Sequence, residues 1–216
     1  MTRVDAVWGA GRVTIGSLVR LLTPLRNYGQ ERVPPAGGVV LAFNHFHWVD
    51  PAVFGLLSPR TIYFLAKVEA HRVAGLGQLM RSFGTLSVRR GESDREAVRL
   101  MRETVRDGRA LGLFVEGTRQ VLGRPGSVQP GAGMAALQES VPVVPAAIHG
   151  SHEWKPGNFH PISVAWGAPM HFDGLPKGAK GYREASVEIE RRLHALHDWL
   201  AELHAIGRPR RATPPA

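Results

Sequence analysis

The sequence predicts a single α/β domain with a largely parallel or mixed central sheet flanked by helices, and three observations predict it. Short apolar runs at 38–43, 61–66, 84–88, 111–115, 141–148 and 162–166 have the length and Val/Ile/Leu content of buried strands. Between several of them lie stretches with helical spacing, at 51–58, 68–82, 93–107 and 131–139, so that strand and helix alternate as parallel pairing requires. The 216 residues, 44% apolar, are enough for one sizeable core and few for two.

Residues 1–33 read as an amphipathic N-terminal helix and a linker. Val4, Trp8, Ile15, Leu18, Leu22 and Leu25 share a helical stripe, with Arg12 at its edge and Arg20 on the far side. Two roles fit this pattern: an interfacial anchor whose arginines meet anionic lipid, or a helix that covers the domain's own core. Pro24 and then Pro34-Pro35 end it. The domain proper is read as 34–206. Ser93 and Glu96 form a capping-box pattern at the start of 93–107, and Gly108 stops that helix. Pro142 and Pro145 mark 141–148 as an edge or irregular strand. The segment Gly131 to Ala136 fits a dinucleotide fingerprint formally, but Pro130 precedes it instead of a strand, so it reads as a closely packed helix start. A last helix over 182–206 carries Ile189, Leu193, Leu196, Leu200 and Leu203 on one face, and 207–216 reads as a disordered basic tail.

Composition narrows the chemistry. The absence of cysteine excludes disulfides, thiolate metal sites and a Cys nucleophile. A net charge of +9 calls for an anionic partner: a membrane surface, a phosphorylated substrate, an acidic carrier protein or nucleic acid. Aromatic residues at 7% are sparse for base stacking, which sets nucleic acid aside. No signal peptide and no run of about 18 apolar residues are seen, so a cytoplasmic protein, peripheral on the membrane, is expected. The histidines at 149 and 152 and at 194, 197 and 204 lack zinc-protease spacing, and no P-loop exists, so neither a metal nor a cofactor is expected.

In open α/β sheets ligands bind beyond the carboxyl ends of the strands. Three polar loops follow strands there: Asn44-His45-Phe46-His47-Trp48-Val49-Asp50, Arg89-Arg90-Gly91, and Glu116-Gly117-Thr118-Arg119. His45 and Asp50 are five residues apart, about 140° on a helix, so they must face each other across a loop. Asp50-Pro51 also reads as a plain helix cap with proline at the first position. One carboxylate can serve both ends, one oxygen taking a backbone N–H of the following helix and the other His45 Nδ1–H, which leaves Nε2 as a general base. Arg90 and Arg119 are candidate phosphate ligands, against the alternative of solvated surface arginines. Glu116 is suited to holding Arg119 or a substrate hydroxyl, and Gly117 to close backbone approach, unless the pair is only a turn. Asn44, His47 and Trp48 read as structural or site-lining.

These loops, in this order, resemble the four blocks of the 1-acylglycerol-3-phosphate acyltransferase family. Asn44, His45 and Asp50 match its N-H-x-x-x-x-D; Gly84 to Arg90 resembles the second block, with Arg90 on the phosphate-binding arginine and Arg89 where an acid is usual; Glu116 to Arg119 is a complete E-G-T-R; and Val141 to Ile148 resembles the fourth. Lys67 and Glu69 match a Lys-x-Glu between blocks, whereas Gln129 replaces a frequent lysine. The resemblance implies a glycerol-3-phosphate acyltransferase-like fold and transfer of a fatty acyl group from acyl-CoA or acyl-carrier protein to the free hydroxyl of 1-acylglycerol-3-phosphate. It further implies His45 as base, Asp50 as its support, and Arg90, Arg119 and Thr118 on the phosphate, with Glu116, Gly117, Asn44 and Lys67 supporting. Another lysolipid or glycolipid acceptor is the nearest alternative. A lipid esterase and a non-catalytic membrane binder lie further off, and the lack of a Gly-x-Ser-x-Gly elbow disfavours an acyl-serine intermediate.

Overall fold

The apolar run Val39-Val40-Leu41-Ala42-Phe43 forms β2 (Val39–Phe43), the middle strand of a seven-stranded sheet ordered β1-β7-β6-β2-β5-β3-β4. The computed structural model describes residues 2–72, 74–88 and 94–216. The other strands are β1 (Leu25–Tyr28), β3 (Ile62–Lys67), β4 (Leu86–Val88), β5 (Ala110–Phe114), β6 (Val143–His149) and β7 (Ile162–Trp166). The helices are α1 (Arg3–Leu22), α2 (Asp50–Leu57), α3 (Val68–Arg72), α4 (Leu76–Ser82), α5 (Asp94–Arg106), α6 (Gly131–Glu139) and α7 (Ala179–Ala205).

Every residue of β2 is buried because both sheet faces are covered. Val39, Leu41 and Phe43 enter one core with Trp8 of α1, Phe54 of α2 and Trp166. Val40 and Ala42 enter the other with Ala135 of α6 and Ile189, Leu193, Leu196 and Leu200 of α7. The predicted apolar face of the last helix is therefore its packed face. Strands β2, β3, β4, β5 and β6 run parallel, and β7 turns back against β6. The five parallel strands thus deliver their carboxyl ends to one edge.

Several expectations change. The supposed linker contributes β1, paired in parallel with β7, so the sheet begins before residue 34. Strand β6 is interior, not an edge strand. Pro145 is tolerated there because its carbonyl accepts Gly167 N–H at 2.8 Å. Its missing N–H points the same way, beyond the end of β7, where no ladder bond is required. The stretch 68–82 divides into α3 and α4, since Gly75 takes φ +75° before α4. The expected cap Ser93 lies outside the described residues, and α5 is followed by Gly108 at φ +74° as expected.

Segment 207–216 is docked and not a free tail: Tyr28 Oη donates to Pro209 O at 2.9 Å, and Arg32 donates to Pro214 O and Pro215 O at 2.7 and 2.8 Å. Three prolines keep that segment extended, so it binds through its carbonyls. Helix α1 covers the core with the N-terminal part of the predicted stripe, Val4 and Trp8, but not with its middle. Trp8 and the glycines Gly11 and Gly16 face inward, while Ile15 and Leu18 are exposed. Small residues allow close approach: Trp8 lies over Gly55, and Gly11 lies on the ring of Phe83. Arg12 also turns inward, donating to Gly55 O and Arg60 O at the C-terminal end of α2.

Candidate active site

Asn44 fixes where β2 gives way to the loop. Its side-chain amide donates to Ile148 O at 3.0 Å and accepts Ile148 N–H at 2.8 Å, extending the β2–β6 ladder by a side chain. His45 is then held through its backbone by the loop after β5. Its N–H donates to Glu116 Oε2 at 2.7 Å, and its carbonyl accepts Gln120 N–H at 2.8 Å. The imidazole stacks on Phe114 with centroids 4.1 Å apart. Its Nδ1 lies 2.9 Å from Asp50 Oδ2. Because the carboxylate only accepts, Nδ1 carries the proton and Nε2 presents a lone pair. Nε2 has no hydrogen-bond partner among the described residues, and the ring is 18% exposed.

Asp50 is fully buried and begins α2, with Val49 in the cap position and Pro51 following. The expected division of labour between its oxygens does not occur. One oxygen, Oδ2, accepts His45 Nδ1–H and the backbone N–H groups of Phe46 and His47, the latter two at 2.7 Å. Those amides precede the helix; the loop folds back onto the carboxylate before α2 starts. Oδ1 is buried without a hydrogen-bond partner among the described residues.

Glu116 holds neither Arg119 nor an open position. It is buried, with one oxygen on His45 N–H and Oε1 on Gly126 N–H at 2.7 Å, and so clasps the two ends of the loop around His45. Burial pushes its carboxyl up to about 7; the two N–H bonds pull down and the Asp50 charge pushes further up. Gly117 is required by φ +74° and not by crowding, since an added Cβ would meet only Gln129 at 3.8 Å.

Thr118 and Arg119 follow on this loop, both exposed. The bond from Gln120 N–H to His45 O places the adjoining Arg119 on the His45 edge; burial lowers the pKa of His47, the Asp50 charge raises it, and the charges of Arg119 and His45 lower it further. Lys67 ends β3 on the same edge. Arg90 lies outside the described residues; the strand before it, β4, is parallel to the others and three strands from β2, about 14 Å laterally. The structure therefore brings together His45, Asp50, Glu116, Arg119 and Asn44.

Sequence reasoning missed Phe114, whose ring closes the strand before E-G-T-R, and Gly126, ten residues beyond Glu116. It also kept apart two histidine groups that meet behind Phe46. His149 Nδ1 is 3.2 Å from His197 Nε2, the His149 and His204 rings are 4.5 Å apart, and Phe46 meets the edges of His152 and His197. Burial, reinforced by the neighbouring histidines, holds His149 down to about 3. Burial likewise holds His204 down to about 4, with Arg208 and the other histidines adding to it. Among the described residues no group of three or more His, Asp or Glu side chains is arranged to hold a metal ion. A cavity of about 500 Å³ between the end of α1, β1 and α2 touches none of the residues named for the site.

A family model of acyltransferases matches residues 24–149, from the start of β1 to the end of β6. The 1-acyl-sn-glycerol-3-phosphate acyltransferase of Bacillus subtilis is 28% identical over 185 residues, covering 82% of this chain and 89% of that protein. The lyso-ornithine lipid O-acyltransferase of Pseudomonas aeruginosa is 33% identical over 149 residues, covering 68% of this chain and 55% of that protein. The crystal structure of the 1-acyl-sn-glycerophosphate acyltransferase from Thermotoga maritima has the same fold, with a TM-score of 0.68 at 20% identity over 94% of this chain and 78% of that one. With the family model spanning more than half of its length, the chain belongs to the acyltransferase family and is an O-acyltransferase.

Proposed function

We propose that the protein moves a fatty acyl group from acyl-CoA or acyl-carrier protein to the free hydroxyl of 1-acylglycerol-3-phosphate. The observation that carries this reading is the His45–Asp50 pair, with Nε2 unpartnered among the described residues, on the edge where the loop of Arg119 is bonded to His45 O. His45 Nε2 takes the hydroxyl proton as the oxygen attacks the thioester carbonyl. The tetrahedral adduct then collapses, the C–S bond breaks, and the proton passes from Nε2 to the leaving thiolate. Asp50 stabilises the transient imidazolium and keeps Nδ1 protonated throughout. Arg119 and Thr118, and Arg90, which follows β4 in the sequence, serve the phosphate, for which a guanidinium offers a two-pronged donor. Lys67 supports this positive edge.

Membrane attachment at the inner face belongs to the same proposal. From Ala6 to Val19 the only charged residue of α1 is Arg12, and Arg12 is turned inward. The outward face keeps Val13, Leu18 and Leu21 exposed at 55–75%, with Arg3 and Arg20 towards its ends. That is the distribution of a helix lying in a headgroup layer. No helix among the described residues is long and apolar enough to cross a membrane.

A second acceptor is favoured by the likeness to the Pseudomonas lyso-ornithine lipid enzyme, namely another lysolipid such as lyso-ornithine lipid. The test gives purified protein lysophosphatidic acid, other lysophospholipids and lyso-ornithine lipid, each with acyl-CoA and with acyl-carrier protein. Diacyl product from lysophosphatidic acid is expected, falling at least about a hundredfold in His45→Ala. Product only from lyso-ornithine lipid would move the reading to the second acceptor; full activity in folded His45→Ala would end the role of His45.

A further inference from the structure

Eleven large apolar side chains are exposed among the described residues, and they are not scattered. Four lie on α1. Another four, Trp48, Val121, Leu122 and Phe159, stand on the segments that follow β2, β5 and β6, at the sheet edge that carries His45. Single exposed apolar residues are ordinary, but a set gathered around an active site marks a contact surface.

The loop after β5 presents its pair most fully. Val121 and Leu122 are each 88% exposed. The loop cannot fold them inward, because it is tied by Gln120 N–H to His45 O and by Gly126 N–H to Glu116, and Gly123 lies against the ring of His152. Arg119 and Arg124 flank the pair, both exposed and neither in a hydrogen bond with a described residue. Phe159 is held outward in a comparable way. It has φ +51°, uncommon for a phenylalanine. Asn158 locks the turn by accepting Lys155 and His160 N–H and donating to Glu153 O. The C-terminal end of α1 joins this edge through Trp154 Nε1, which donates to Thr23 Oγ1 at 2.6 Å.

We propose that residues 119–124 form a membrane-insertion loop. With Trp48 and Phe159 on the same sheet edge, Val121 and Leu122 enter the acyl-chain region of an anionic bilayer while Arg119 and Arg124 meet lipid phosphates. Aliphatic tips between arginines suit that boundary, where apolar burial and headgroup attraction add. The loop is tied to His45 by a backbone hydrogen bond, so docking it brings the base to the lipid surface and lets a lysolipid hydroxyl reach Nε2 from within the lipid layer. This delivery rests on the acyl-transfer reading above; the insertion itself does not.

The chain has no cysteine, so Leu122→Cys and Val121→Cys can each carry one environment-sensitive fluorophore, with Val187→Cys on α7 as the exposed control. Each full-length labelled protein is mixed with vesicles of phosphatidylcholine and phosphatidylglycerol (3:1) or of phosphatidylcholine alone. A blue shift at 121 and 122 is expected, larger on the anionic vesicles and absent at 187. Val121→Ser/Leu122→Ser should lower partitioning onto anionic vesicles about tenfold or more. Wild-type protein that sediments with vesicles while neither loop reporter shifts would overturn the insertion loop. A shift caused by acyl-carrier protein but not by vesicles would overturn it too. Failure of the acyl-transfer reading registers separately, as wild-type protein that makes no acylated product, and leaves the fluorescence result standing.

Discussion

One oxygen of Asp50 collects His45 and two amides of the loop before α2, and neither oxygen takes the expected N–H of the following helix. Three donors converge on Oδ2, two of them backbone amides that cannot turn away. Asp50→Ala orphans all three, and a stability loss of about 2–5 kcal/mol is expected in urea unfolding. Asp50→Asn can keep an oxygen in that position, so its loss should be smaller, about 1–2 kcal/mol, while turnover still falls at least about tenfold for want of the charge facing the imidazolium. Equal stability of the two variants would show that the carboxylate does not organise the loop. At Glu116 both oxygens accept N–H groups, and a glutamine would turn an NH₂ towards one of them. Glu116→Gln should therefore cost about 1–3 kcal/mol near pH 5 and lower kcat/KM through displacement of His45, measurable by urea titration and steady-state kinetics.

At the scale of elements, the join between α1 and the domain depends on what is missing from a side chain. A Cβ on Gly55 would stand 1.9 Å from the Trp8 ring, and Trp8 Nε1 donates to Phe83 O at 3.0 Å. Gly55→Ala must push Trp8 off its seat, at about 1–3 kcal/mol. Limited proteolysis should then cut within α1 sooner than in wild type while the sheet stays resistant; unchanged cleavage would mean that α1 is held elsewhere. The helical spacing of α1 was legible, and so was Trp8 on its buried face, but the rest of that face was not, because hydrophobic periodicity favours Ile15 and Leu18, which are exposed, whereas Gly11 and Gly16 are buried. In α7 the leucines themselves make the contact, and there the spacing identified the face. Strand β1 escaped notice because Leu25-Arg26-Asn27-Tyr28 is short and half polar, and only its partner β7 makes it a strand.

The whole molecule carries two opposed proton linkages. His149 and His204, held at about 3 and about 4, stay neutral in the fold but bind protons below about 6.5 once unfolded. Their contribution is complete above pH 6.5 and is lost as pH falls towards those folded values. Glu116 works the other way: its folded value of about 7 lies above the unfolded 4.5, so its contribution is complete below pH 4.5 and is lost as pH rises through 7. The two partly cancel between pH 7.5 and 5.5. Removing the carboxyl removes one side, so Glu116→Gln should lose more stability than wild type over that interval, by about 1–2 kcal/mol. Parallel urea titrations at the two pH values read this difference; identical pH slopes would show that Glu116 titrates alike folded and unfolded.

Residue order alone determined the alternation of strands and helices, hence the α/β class, and it set His45, Asp50 and Glu116 together on one sheet edge. Strand carboxyl ends are marked by abrupt changes from apolar to polar, and parallel pairing gathers those ends on one edge. Only the tertiary structure decided which atoms meet. It gave Glu116 the amides of His45 and Gly126, not Arg119. It placed Pro145 inside the sheet, where its missing N–H falls beyond the end of β7. It joined histidines 48 residues apart behind Phe46. Local spacing reports which face of an element seeks burial, whereas the partner of a polar group depends on which distant segments the sheet order sets side by side.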